Sequence, residues 1–218
     1  MNAPTLIDLD AWPRRQHFEH YLRSVRCSYS MTVDIDVTDF VAAVRTSGRR
    51  TYIAQVWAIG SIVNRHPEFR MTLTADGAPA VWPEAHPSFT IFHAETETFS
   101  SVSVAFDSDF GRFHDAAARV IADHAGSTEL FPQGPPPPNS FDVSSLPWTD
   151  FTGFNLNVEG VGAHLAPIFT LGRYHERDDR TWLPVAVQVH HAAADGFHTA
   201  RLINELRGLL SDPSWLAA

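Results

Sequence analysis

A single cysteine, Cys27, stands among the 218 residues, so no internal disulfide is available and a reducing compartment is the natural setting. No apolar run reaches the length needed to span a bilayer. Met1 to Asp10 lack the basic stretch and long apolar core of a secretory leader, and a cytoplasmic protein is expected. Positive charge is also scarce. With 16 Lys and Arg against 25 Asp and Glu the net charge is −9, which argues against nucleic acid or an anionic membrane as the main partner. Local basic patches remain at Arg49-Arg50 and at Arg173, Arg177 and Arg180, enough to meet a phosphorylated small molecule. No repeat of fixed period runs through the chain.

What is present is ordinary globular composition, 44% hydrophobic and 19% charged, and a length that suits one domain over residues 1–218 with a sizeable core. The stretch from Trp12 to Arg26 reads as mixed helical or irregular. Alternation of Tyr29, Met31, Val33, Ile35 and Val37 predicts a strand over Cys27 to Val37. Thr38 is then a plausible N-cap for a helix carrying Phe40, Val41 and Val44. A second, well-buried helix is expected from Tyr52 to Asn64, ended near Pro67.

Ala75-Asp76-Gly77 signals a hairpin between short strands at Phe69 to Thr74 and Ala80 to Trp82. Further strands are expected at Phe89 to His93, Thr98 to Val104, Phe151 to Val158, Pro167 to Tyr174 and Leu183 to Val189. Helical spacing covers Phe110 to His124 and Phe197 to Leu210. The run Pro132 to Asn139, with four consecutive prolines, is a stiff surface loop. Irregular interleaving of strands and helices predicts an α/β protein with a mixed sheet and helices packed on one face.

The segment with the most chemistry is Gln188-Val189-His190-His191-Ala192-Ala193-Ala194-Asp195-Gly196-Phe197-His198. A strand delivers two adjacent histidines, a small-residue segment follows, and Asp195-Gly196 leads into a helix. Neighbouring strand residues point to opposite faces, so only one of His190 and His191 looks into a given cleft. A neutral imidazole suits general-base catalysis near neutral pH. An isolated buried histidine is the plainer reading of either residue, and a metal reading of His190, His191, Asp195 and His198 fits no tight zinc spacing. Asp195 stands four residues beyond His191, which leaves a catalytic dyad open, and it can also cap the following helix.

Three segments together resemble the trimeric, His-dependent chloramphenicol acetyltransferase family. They are Trp12-Pro13-Arg14-Arg15-Gln16-His17-Phe18-Glu19, then Ser144-Ser145-Leu146-Pro147-Trp148 with Phe151 and Phe154-Asn155-Leu156-Asn157-Val158 behind it, and Gln188 to His198. Thr90 to Ser100 and Leu130-Phe131-Pro132-Gln133-Gly134 also look like the family. The resemblance implies a two-layer α/β sandwich of the CoA-dependent acyltransferase fold and a homotrimer with sites between subunits. It implies direct acetyl transfer from acetyl-CoA, as co-substrate, to a hydroxyl of the antibiotic, with no metal and no permanently bound cofactor.

By matched position His191 is the general base, Ser144 the oxyanion donor and Thr170 its water-bridged partner. Asp195 pairs with Arg14 and holds the loop. Trp148 and Tyr174 line the CoA arm, Tyr52 lies near the nucleotide, and Arg50 or Arg173 near phosphate. The acceptor pocket draws on Tyr21, Cys27, Tyr29, Thr96, Phe131, Leu156, Val158 and Ile168, an aromatic and aliphatic wall suited to a nitrophenyl ring and a dichloroacetyl tail. Two positions depart from the pattern: His164 stands where a pocket tyrosine is common, and Ala94 where glutamine often is. Both belong to the acceptor side.

Two other functions compete. One is acyl transfer to a different small alcohol or to a dihydrolipoyl thiol; the extended linkers of multidomain dihydrolipoyl acyltransferases are not read in this sequence. The other is a non-catalytic trimer that sequesters the drug. A hydroxyl near His191 matters because an alcohol is a poor nucleophile at neutral pH and needs both a base and a donor at the developing oxyanion.

Overall fold

The structure, a computed structural model, describes residues 3–156, 158 and 163–217. In chain order the elements are β1 (Thr5–Leu6), α1 (Arg15–Glu19), β2 (Ser28–Asp36), α2 (Thr38–Ser47), α3 (Thr51–Arg65), β3 (Met71–Leu73), β4 (Pro79–Val81), β5 (His86–His93) and β6 (Thr98–Ser103). There follow α4 (Phe110–Asp123), β7 (Ser140–Ser145), β8 (Ile168–Leu171), β9 (His175–Arg177), β10 (Arg180–His190) and α5 (Gly196–Ser211). A π-helical turn, His20–Ser24, continues α1.

A seven-stranded sheet runs β2-β10-β8-β7-β5-β6, with β9 pairing β10 off that path; β1, β4 and β3 form a separate small sheet. β7 runs parallel to both β5 and β8, and the other pairs are antiparallel. Side chains alternate across the sheet. Phe141, Val143, Phe169, Leu171, Val185, Val187 and Val189 point into one core with the apolar faces of α2, α3, α4 and α5. Asp142, Ser144, Ile168, Thr170, Ala186 and Gln188 therefore share the opposite face. Helices cover one side of the mixed sheet, as expected.

Local chemistry sets the element ends. His66 is extended, as a residue before proline must be, and α3 stops at Arg65. The Asp76-Gly77 hairpin forms with Gly77 at φ 82°, where a β-carbon would strain the turn. The free edge of β6 is blunted: Ser101 N–H donates to the Leu130 carbonyl, and the Gln133 amide both accepts from Ser103 N–H (2.7 Å) and donates to its carbonyl (3.3 Å).

Three expectations change. Thr38 is the first helical residue and not the cap; the Asp36 carboxylate, a stronger acceptor than a hydroxyl, takes both Thr38 N–H (3.1 Å) and Thr38 O–H (2.7 Å). No strand forms over the described residues from Phe151 to Val158; Phe151 and Phe154 pack on each other in an irregular segment whose Phe154 N–H donates to Thr32 Oγ1. Asn157 lies outside the described residues. The strand that carries Ser144, β7, was not anticipated, nor were β1 and β9.

Candidate active site

β10 ends at His190, and His191 N–H still donates to the Cys27 carbonyl at 2.8 Å, so the ladder with the β2 side fixes the His191 backbone. The next residues must turn sharply in little space. Ala192, Ala193 and Ala194 are all buried, and Ala193 and Ala194 N–H groups fold back onto the His190 carbonyl. Ala192 and Ala193 pack with Phe18, Met71 and Leu165 in a small satellite core.

The His191 ring is held between two tyrosines. Tyr21 stacks on it, centroids 3.8 Å apart and planes within 5°, and Tyr29 meets it edge-on at 5.3 Å. The Tyr29 hydroxyl is itself tied to Thr199 Oγ1 at 2.8 Å. His191 Nδ1 is buried and has no hydrogen-bond partner among the described residues, so Nε2 is the nitrogen available to a ligand. Base action at Nε2 requires the neutral ring to carry its hydrogen on Nδ1.

His190 is used differently. Its Nδ1 accepts Ala192 N–H at 3.2 Å, which places the ring hydrogen on Nε2 and ties the ring into the turn. Burial, with His164 and His191 nearby, pushes its pKa below the usual histidine value. The adjacent histidines thus divide into one that braces the turn and one with an open nitrogen.

Asp195 caps α5 by accepting Phe197 N–H at 3.1 Å, pairs with Arg14 from the other end of the chain, and contacts His198 Nδ1 at 2.7 Å. Burial pushes this carboxyl up, but the Arg14 hydrogen bond and the neighbouring His198 and Arg14 charges outweigh it and hold it below the ordinary value. Among the described residues no hydrogen bond joins Asp195 to His191. The Asp195–Arg14 pairing matches the resemblance, and the dyad reading does not.

Ser144 and Thr170 are register partners on parallel β7 and β8. Their hydroxyl oxygens are 3.1 Å apart, so they touch directly where a bridging water was expected. Thr170 is buried and Ser144 partly open. Thr170 is in register with Ala186 on β10, five residues before His191. At roughly 3.3 Å per residue and roughly 4.8 Å between strands, Ser144 and His191 of one chain are on the order of 19 Å apart. They cannot serve one reacting carbonyl within a single chain.

The four residues matched to CoA do converge. Tyr52, Trp148, Arg173 and Tyr174 line a cavity of about 410 Å³ that also holds Gln55 and Ser145. Trp148, largely exposed, rests edge-on against Phe92 at 4.6 Å. Arg173 reaches Asp150 at 3.2 Å, while the Arg50 N–H donates to His114 Nε2 at 3.1 Å. Burial pushes the Tyr52 phenol up to about 12 and the Tyr174 phenol up as well, so both stay protonated as donors. Tyr52 gives its hydrogen to the Val143 carbonyl at 3.3 Å. Gly172 sets the approach, since a β-carbon there would stand 3.0 Å from both Phe151 and Pro184.

The acceptor-side residues divide. Tyr21, Cys27 and Tyr29 surround His191. Cys27, Val158 and His164 line a cavity of about 620 Å³ together with His190 and Gln188. His164 Nε2 lies 3.5 Å from Asp142 Oδ2, and Ile168 is in register with Asp142 and Gln188. Thr96, Phe131 and Leu156 lie outside that lining. Thr96 bonds Thr98 in the turn between β5 and β6, while Phe131, Leu156 and Ala94 are exposed. Gln55 was not singled out from sequence; its signal was a lone amide inside an apolar helical run. Among the described residues no group of three His, Cys, Asp or Glu side chains is close enough to hold a metal, and no helix is long and apolar enough to cross a membrane.

The fold is that of the CoA-dependent acyltransferases. A solved chloramphenicol acetyltransferase superposes with a TM-score of 0.81 over 95% of this chain and 100% of its own, at 20% identity. A dihydrolipoamide acetyltransferase from Azotobacter vinelandii superposes at 0.69 over 100% of this chain and 94% of its own, at 18% identity. The chain belongs to the chloramphenicol acetyltransferase family, whose model matches residues 1–207. It is 63% identical over 214 residues to a chloramphenicol acetyltransferase of Streptomyces acrimycini, covering 98% of this chain and 97% of that protein. A chloramphenicol acetyltransferase of Clostridium perfringens is 42% identical, with 97% of each covered.

Proposed function

We propose that this chain is a single acetyltransferase domain that transfers acetyl from acetyl-CoA to a hydroxyl of chloramphenicol, and that it works as a homotrimer with sites between subunits. His191 Nε2 removes the hydrogen of the acceptor hydroxyl as its oxygen attacks the thioester carbonyl. The carbonyl oxygen gains the negative charge and takes the hydrogen bond of Ser144, which Thr170 keeps in position. Collapse of the tetrahedral intermediate breaks the carbon–sulfur bond, and the leaving thiolate takes the proton from the imidazolium. No acyl-enzyme forms.

One observation carries the two-chain site. The open imidazole and the hydroxyl pair are each built and supported, yet stand too far apart in one protomer to share a substrate. A neighbouring protomer that brings His191 to Ser144 completes the site. Tyr52, Trp148, Arg173 and Tyr174 then receive CoA, and Tyr21, Cys27, Tyr29, Thr96, Phe131, Leu156, Val158, His164 and Ile168 receive the antibiotic from the two sides of the interface. The single thiol Cys27 and a substrate made inside cells suit a cytoplasmic location and a role in antibiotic resistance.

A thiol-release assay with acetyl-CoA and chloramphenicol tests the reading. Turnover abolished by His191→Ala is expected; drug binding with no thiol above background supports sequestration instead. A panel of small alcohols run beside chloramphenicol tests whether His164 and Ala94 shift the acceptor.

A further inference from the structure

α3 is buried without interruption from Ile53 to Gly60, and every side chain in that run but one is apolar or absent. The exception is Gln55, 7% exposed. A primary amide in such a run costs desolvation unless it is hydrogen-bonded, and nothing in the packing of α3 on the sheet calls for one. Its bond goes to the site. Gln55 Nε2 donates to the Tyr174 phenol oxygen at 2.7 Å, and both residues line the 410 Å³ cavity with Trp148 and Arg173.

The direction of that bond matters. A phenol oxygen that accepts from an amide keeps its own hydrogen free. Tyr174 then presents a donor to whatever occupies the cavity, with the ring fixed by a bond from a rigid helix. Gly172, two residues earlier, is closely packed, since a β-carbon there would stand 3.0 Å from Phe151 and Pro184, and this fixes the backbone leading to Tyr174.

We propose that Gln55 is a positioning residue for the thioester co-substrate, holding Tyr174 so that its hydroxyl hydrogen points to an acceptor atom of bound CoA. This rests on the reading of the cavity as the CoA site. Gln55 acts through Tyr174 and takes no part in proton transfer.

The test is a double-mutant cycle on the full-length protein, with CoA binding by calorimetry and steady-state kinetics for both substrates. Gln55→Leu is expected to weaken CoA binding and raise the acetyl-CoA KM about five-fold, the cost of one ordinary hydrogen bond. kcat at saturating acetyl-CoA and the acceptor KM stay within about two-fold. Tyr174→Phe has the same effect, and adding Gln55→Leu to it costs nothing further. Gln55→Met, checked by circular dichroism and Tm, is the second variant should the leucine form fail to fold. Additive losses, a loss confined to kcat, or unchanged CoA affinity in a folded variant would overturn the assignment. If the unmodified protein turns over while both Gln55 variants bind CoA normally, this inference alone fails. If it releases no thiol yet the cycle on CoA binding behaves as stated, the acetyl-transfer reading fails and the positioning role stands.

Discussion

Tyr21 lies flat on the imidazole of His191, 3.8 Å from centroid to centroid, and Tyr29 meets the same ring edge-on at 5.3 Å. The ring proposed to take the proton is therefore fixed by aromatic surface more than by hydrogen bonds, since Nδ1 has no partner among the described residues. An aromatic pair of this kind contributes roughly 0.5–1.5 kcal/mol beyond its burial. Tyr21→Leu should lower kcat by about three- to ten-fold, and Tyr21→Phe should keep it within about two-fold. Steady-state rates of the two variants decide; equal losses would assign the effect to the hydroxyl and not to the stack.

Ser144 and Thr170 are unequal partners. Ser144 is the more open of the two, the one the proposed mechanism turns to the carbonyl, whereas Thr170 is buried. Ser144→Ala should lower kcat by roughly 10²–10³ with little change in either KM, because its bond belongs to the transition state. Thr170→Val should cost less than about ten-fold, as it removes only the neighbour that orients the serine. A loss carried by KM would remove Ser144 from the oxyanion.

Separation of Ser144 from His191 within a chain gives a complementation test. His191→Ala chains are expected to be inactive alone, and Ser144→Ala chains to keep only about a hundredth to a thousandth of the rate. Co-expressed and randomly assembled, they should form sites with an intact pair from two different chains, about a quarter of all sites. Recovered thiol release on mixing, and none when the two substitutions share one chain, is the expected result. No recovery in a confirmed hybrid trimer would place both groups in one protomer.

Acid sensitivity follows from Asp195. Its folded pKa lies below the ordinary 3.8, so the unfolded chain takes up the proton first as pH falls. The stabilisation is complete above the ordinary carboxylate range and is lost as pH drops through the folded value. Asp195→Asn should lower Tm most at neutral pH, and the gap from the unmodified protein should narrow between about pH 5 and about pH 3. Thermal unfolding across that range checks it; a gap independent of pH would mean the loss comes from packing or capping and not from charge.

The sequence shows some of this directly. β2 announces itself by alternation, β10 by the strand-like run from Leu183 to Val189, and the buried helix α3 by apolar residues at Ile53, Val56, Trp57, Ile59, Ile62 and Val63. β7 did not, although Phe141 and Val143 alternate with Asp142 and Ser144 in the strand pattern. Six residues between a proline run and Leu146-Pro147 are too few for periodicity to outweigh the turn formers around them. The opposite error fell on Phe151 to Val158, where Phe154, Leu156 and Val158 alternate like a strand, yet the described residues form no ladder and Leu156 and Val158 are exposed. Arg14 and Asp195 are 181 positions apart, and spacing carries no information on such a pair; only the family resemblance supplied it. Gln55 was visible as a polar intruder in α3, but its partner Tyr174 lies 119 residues away.

Ser144 and Thr170 hang from two hydrogen-bonded parallel strands, so their spacing is fixed by main chain and not by the loops that border them. The stretch that carries Leu156, Val158 and His164 lies beyond Trp148 and outside those strands, so substitutions there leave the backbone that spaces the hydroxyl pair in place. Under the proposed mechanism, acceptor preference is therefore open to change by substitution there while the thioester half of the reaction keeps its frame.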